Sequence, residues 1–188
     1  MLASARSITA ADASTQAGRW EKNRFIGVEL YSKTLGLIGC GNIGSIVADR
    51  ANGLKMKVIT YDPYLTPERA VRLGVEKVEL DDLLARADVI SLHVPMTEST
   101  RNILSEAALA RTKRGVIIVN VARGGLVDEQ ALRRLLDDGY VGAAAFDVFS
   151  VEPAHENVLF GAPRFIATPH LGASTVEAQE NVARQIAE

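Results

Sequence analysis

The sequence predicts a single α/β domain, a doubly wound parallel sheet with helices on both faces, and three observations carry that reading. Short apolar runs alternate with helical stretches along most of the chain, the pattern of strands buried on both sides. The first run, Thr34 to Ile38, leads straight into Gly39-Cys40-Gly41-Asn42-Ile43-Gly44 and then a helix. The second, Lys57 to Tyr61, ends in Asp62, about twenty residues beyond the glycines. A Gly-x-Gly-x-x-Gly turn between strand and helix, with an acid at that distance, is the fingerprint of a Rossmann-type dinucleotide site.

Each part of the fingerprint has a physical role. Gly39 lets the chain turn sharply, Gly41 has no side chain to hold a diphosphate away, and Gly44 lets the helix Asn42 to Asn52 approach the sheet. The free N–H groups and positive dipole end of that helix then point at the phosphates. A carboxylate at Asp62 accepts from both ribose hydroxyls and repels a 2′-phosphate, which argues for NAD over NADP. The plainer reading of Asp62-Pro63 is a turn that ends a strand.

The other elements follow in order. Met1 to Gly18, rich in Ala, Ser and Thr, reads as a helix without an apolar stripe. Trp20 to Phe25 reads as a solvated connector with two buried rings, and Val28 to Lys33 as a short hairpin-like piece. Thr66 and Pro67 start a short helix to Leu73. Val75 to Val78 is a weak strand, Leu80 to Ala87 a helix with Leu80, Leu83 and Leu84 at helical spacing, and Asp88 to His93 a strand. Ser105 caps a helix whose apolar face is Ala108 and Leu109. Gly115 to Asn120 contains four β-branched residues in a row, the least ambiguous strand of the chain. Asp128 to Asp138 is an amphipathic helix ended by Gly139. Gly142 to Phe146 and Phe165 to Thr168 complete the sheet, and Ser174 starts a last helix.

Composition narrows the function classes. At 188 residues, 47% apolar and 23% charged, the chain is globular and of one-domain size. A net charge of −2 gives no reason to expect nucleic acid, and no apolar run approaches a membrane span. The single cysteine, Cys40, reads as a spacer inside the glycine turn rather than a reactive thiol, and fits a reducing, cytoplasmic setting.

In an open parallel sheet, ligands gather beyond the carboxyl ends of the strands, and three polar residues fall there: Arg123, Glu152 and His170. Hydride transfer between NAD and an alcohol carbon needs a base for the hydroxyl proton, which suits His170. Glu152 would fix the tautomer of the ring, and Arg123 would grip a substrate carboxylate with its planar fork. Singly, each has a structural alternative: a helix-capping arginine, a solvated glutamate, a hydrogen-bonded core histidine.

These segments make the family visible. Gly18-Arg19-Trp20-Glu21, the glycine turn, His93-Val94-Pro95, Val119 to Glu129, Asp147-Val148-Phe149 with Glu152-Pro153, and Pro169 to Thr175 resemble the D-isomer-specific 2-hydroxyacid dehydrogenases. The resemblance implies that Arg123 binds substrate and that Glu152 and His170 are the acid/base pair. It also implies cofactor contacts at Asn42, Ile43, Val94, Val121, Ala122, Asp147 and Gly172, with Asp147 near the nicotinamide amide. Asn42 departs from the family's frequent arginine. Pro169 to Thr175 favours a phosphorylated 2-hydroxy acid as substrate. A glyoxylate or hydroxypyruvate reductase and an NAD-responsive, corepressor-like binding protein are the alternatives. The family's two-domain plan implies that residues 1–27 are a linker helix and connector, 28–174 the NAD-binding domain, and 175–188 the start of a helix returning toward a substrate domain. It further implies a dimer paired through this domain near Trp20, and an isolated domain that binds NAD with little or no turnover.

Overall fold

The computed structural model describes residues 1–187. Seven parallel strands form one sheet: β1 (Thr34–Ile38), β2 (Lys57–Tyr61), β3 (Glu76–Lys77), β4 (Val89–Leu92), β5 (Ile117–Asn120), β6 (Ala143–Phe146) and β7 (Phe165–Ala167). Their order is β3-β2-β1-β4-β5-β6-β7, so the direction of winding reverses between β1 and β4. The register across that reversal runs from Leu35 opposite Val89 to Ile38 opposite Leu92.

The alternation of side chains along each strand splits the core into two layers. Ile38, Ile90, Leu92, Ile118, Ala144 and Phe146 face one layer, under helices α5 (Leu80–Arg86), α6 (Glu106–Leu109) and α7 (Glu129–Asp137). Leu35, Leu37, Val89, Ile117, Val119 and Ala143 face the other, under α1 (Leu2–Ala5), α3 (Asn42–Gly53) and α4 (Pro67–Leu73). Both faces are therefore dry, and the strands read as near-continuous apolar runs. The caps are local and legible: the side chains of Thr66, Ser105 and Asp128 accept from the backbone N–H groups of Arg69, Ala108 and Ala131.

The structure corrects three expectations. The opening stretch is two helices, α1 and α2 (Ile8–Gln16), because Ser7 adopts a left-handed conformation (φ 50°) and breaks the run. Val28 to Lys33 is no hairpin: its backbone groups go to different elements, Val28 N to the Ala5 carbonyl and Ser32 N to the Lys55 carbonyl, so no facing strand forms. Trp20 is not a buried ring, since 85% of it is exposed and Phe25 alone of the pair is half-buried. The last helix, α8 (Val176–Ala187), begins with Thr175 as the residue whose hydroxyl accepts from Ala178 N. Glu188, the end of that expected helix, lies outside the described residues. Among the described residues, no helix is long and apolar enough to cross a membrane.

Candidate active site

The glycine turn closes the carboxyl end of β1. Gly39 has φ +94°, and a Cβ there would stand 2.6 Å from the His93 carbonyl, while one at Gly44 would run into the Gly39 carbonyl. These two positions exclude side chains by contact with the protein itself. Gly41 differs, because a Cβ there would meet nothing within 4 Å. The space above Gly41 is thus open at the start of α3, where free N–H groups and the helix dipole favour a diphosphate. Asp62 stands behind the turn, its Oδ2 accepting from Cys40 N at 2.8 Å and its Oδ1 from Tyr64 N at 2.9 Å. The carboxylate is held at the cofactor turn by backbone donors and keeps lone pairs for further ones. Burial raises the Cys40 thiol above its ordinary value, which suits an inert spacer.

Beside the turn, Ile43, His93, Val94, Pro95, Val121, Ala122 and Arg123 line a cleft of about 230 Å³. They follow β1, β4 and β5, so the cleft sits at the point where strand order reverses, the place an open α/β sheet reserves for ligands. Asn42 belongs to the adjoining turn at the head of α3. Arg123 is exposed, its guanidinium donates to the Ala122 carbonyl, and the loop is shaped from below by Asn120, which donates to the Arg123 carbonyl at 2.9 Å. A Cβ at Gly124 would strike the Phe149 carbonyl, so the arginine loop lies flush against the segment that carries Glu152.

Glu152 and His170 meet directly. Glu152 Oε2 accepts from His170 Nδ1 at 2.7 Å, and Oε1 accepts from Phe149 N at 2.8 Å. The hydrogen bond from His170 and then that from Phe149 hold the Glu152 carboxyl below its usual range, so it is charged near neutrality. A charged carboxylate on Nδ1 makes that nitrogen the N–H donor and leaves Nε2 free to take or give a proton. His170 itself has φ 54°, an uncommon conformation for a side chain of its size. Asp147 keeps it there: its Oδ1 accepts from Thr168 Oγ1 at 2.6 Å and from Leu171 N at 2.8 Å, and its Oδ2 from Gly172 N at 3.0 Å. The three donors outweigh the cost of burying the carboxylate and lower its pKa. In this structure Asp147 and the Gly172 N–H therefore bond each other and brace the histidine turn. This is a role the sequence did not reveal, since its partners lie more than twenty residues away.

The arrangement thus joins Glu152 to His170 by a hydrogen bond and brings the Arg123 loop against the Glu152 loop, while the guanidinium itself bonds neither side chain. Residues 1–172 match the family described as D-isomer specific 2-hydroxyacid dehydrogenase, NAD binding domain. The chain belongs to the D-isomer-specific 2-hydroxyacid dehydrogenases. NAD is the cofactor of this domain of the family, and the open space over Gly41 and the cleft at the strand reversal fit it. D-3-phosphoglycerate dehydrogenase of Mycobacterium tuberculosis is 50% identical over 188 residues, covering all of this chain and 36% of that protein. The enzyme of the same name from Bacillus subtilis is 48% identical over 183 residues, covering 97% and 35%. The chain therefore spans about a third of the length of these curated relatives. Among solved dehydrogenases of the family, D-2-hydroxyisocaproate dehydrogenase superposes with a TM-score of 0.91 at 33% identity, over 98% of this chain and 60% of that one. A glyoxylate reductase from Paecilomyes thermophila gives 0.90 at 39%, over 98% and 56%.

Two outcomes follow from this geometry. Gly41→Ala should leave thermal unfolding nearly unchanged, because no protein atom occupies the space, yet weaken NADH binding about tenfold or more in calorimetric titration by blocking the diphosphate. His93 is held neutral, its pKa pushed down to about 4 by burial, with Nε2 on the Ser91 hydroxyl and Nδ1 buried without a partner among the described residues. Its folded pKa lies below the unfolded value, so the stability it contributes is present above about pH 6.5 and is lost as pH falls toward 4. Urea unfolding across that window should show a loss of up to about 3 kcal/mol, flattened in His93→Gln.

Proposed function

We propose that this chain is the NAD-binding half of a dehydrogenase that oxidises a phosphorylated D-2-hydroxy acid, D-3-phosphoglycerate, to the corresponding 2-oxo acid in serine biosynthesis. The Glu152 to His170 hydrogen bond at the carboxyl rim of the sheet carries the reading, with the names of the half-identical relatives in support of the substrate. With NAD in the cleft, the chemistry it supplies is acceptance of a hydride from the hydroxyl-bearing carbon. His170 takes the hydroxyl proton on Nε2 as the carbonyl forms, and returns it in the reverse direction. Glu152 keeps Nδ1 protonated and stabilises the imidazolium, and Arg123 turns its guanidinium to the substrate carboxylate. Asp62 accepts from the adenosine ribose and disfavours a 2′-phosphate. Gly39, Asn42 and Gly44 frame the diphosphate, and Ile43, Val94, Val121 and Ala122 pack along the cofactor.

The substrate's phosphate is held, on this reading, by the part of the dehydrogenase that the longer relatives carry beyond the aligned third, and residues 1–27 and 175–188 lead toward it. Turnover therefore needs both halves, because closure excludes water from the reacting carbon. A dimer paired through this domain accounts for the apolar side chains left on the surface of the first 31 residues, Leu2, Ile8, Trp20, Ile26, Val28 and Tyr31. The inert thiol of Cys40 suits the cytoplasm.

The function is tested by joining this chain to the substrate-binding half of the Bacillus subtilis relative and following NADH formation. D-3-phosphoglycerate should support turnover that His170→Ala lowers by about 10²–10⁴-fold. An undiminished rate would remove His170 from the proton step, absence of turnover with NADH still bound would leave the binding-protein reading, and preference for unphosphorylated hydroxypyruvate would leave the reductase. Sedimentation of the chain alone should give a dimer, and Trp20→Ala should shift it toward monomer at micromolar concentration.

A further inference from the structure

Glu152 stands on a stretch with little of its own to hold it. Phe149 and Leu159 are buried, but residues 150–153 and 155–156 between them are exposed and form neither helix nor strand. Side chains on such a segment sample many positions unless something outside it fixes the backbone. The fixing groups lie on α7. Glu129, the first residue of that helix, accepts from Ser150 Oγ at 3.2 Å with Oε1 and from Asn157 Nδ2 at 2.7 Å with Oε2. Its two partners flank Glu152 on either side. One turn further, Arg133 donates through Nη1 to the Val158 and Phe160 carbonyls at 2.9 and 3.3 Å, while its Nε is held by Asp137 at 2.7 Å.

An acid in the first turn of a helix needs no special reason, because the helix dipole favours it. The dipole does not explain why both carboxylate oxygens reach out of the helix to two donors on one loop. An ionised carboxylate is an acceptor with two oxygens, matched here to a hydroxyl and an amide that bracket the glutamate of the site. We propose that Glu129 is a positioning residue, a clamp that holds the loop of residues 150–157 so that Glu152 faces His170. The inference rests on the reading of Glu152 and His170 given above. It also ties two site loops together, since α7 grows out of the Arg123 loop through its cap, Asp128, and Gly124 abuts Phe149.

The Phe149 amide donates to Glu152, so its nitrogen and proton shifts follow the protonation of that carboxyl. The charged and titratable groups facing Glu152 are His170 and Asp147. In the unaltered chain, NMR titration of the Phe149 amide should place the Glu152 midpoint below the ordinary carboxylate range. Glu129→Ala should raise that midpoint by about half a pH unit or more and broaden the Phe149 and His170 signals, with the fold intact by circular dichroism. Glu129→Gln, whose amide oxygen accepts from Asn157 and whose NH₂ donates to Ser150, should restore both. Ser150→Ala combined with Asn157→Ala removes the same clamp from the loop side and should reproduce the effect, which keeps the test open if Glu129→Ala does not fold. A folded Glu129→Ala or double variant with an unmoved midpoint overturns the proposal. Failure of the catalytic reading would register elsewhere, as turnover indifferent to His170→Ala.

Discussion

Everything at the site follows from a constraint on the backbone: all seven strands run the same way, and both faces of the sheet are closed by helices. A parallel strand must end where its neighbours end, so the residues that leave β1, β4, β5, β6 and β7 emerge along one rim. The few polar side chains buried in the strands, such as Thr60 and Asn120, are occupied by bonds to backbone carbonyls. Polar side chains at the strand ends gather along that rim, and the reversal of winding between β1 and β4 opens a cleft in it at the place where such sheets take ligands.

Along the rim, the histidine and glutamate are placed by hydrogen bonds to loops more than by their own elements. His170 is held in a conformation uncommon for its side chain, and the Asp147 carboxylate offsets that cost with bonds to the N–H groups of Leu171 and Gly172 just beyond it. Glu152 is set from two directions, by the Phe149 N–H behind it and by His170 in front. Each of these contacts uses an ionised acceptor, stronger and more directional than a neutral one, on loops that have no ladder bonds of their own. The imidazole therefore meets its carboxylate already in register, Nδ1 on Glu152 Oε2 at 2.7 Å.

Much of this could be read from the chain. The β-branched run ending at Asn120 and the caps at Thr66, Ser105 and Asp128 are local signals, and local signals survive folding unchanged. The glycine turn was legible because its three glycines answer to a fixed geometry, Gly39 to contact with the His93 carbonyl, Gly44 to contact with the Gly39 carbonyl and Gly41 to open space. The stretch Val28 to Lys33 misled because its alternation imitates a strand, whereas its backbone partners lie in the Ala5 and Lys55 regions and no sequence pattern records them. Trp20 misled for a related reason: an aromatic ring in a connector reads as buried, whereas no element of the described residues packs over this one and 85% of it stays exposed. The bracing of His170 by Asp147 and of the Glu152 loop by Glu129 and Arg133 was invisible, because those contacts join residues that only the tertiary fold makes neighbours.

The contacts that align the imidazole with its carboxylate all lie within this one chain. On the function proposed above, a domain of that kind is an interchangeable cassette: another substrate-holding module can be attached to it without rebuilding the Glu152–His170 pair, and a change of hydroxy acid can then be made in the attached module alone.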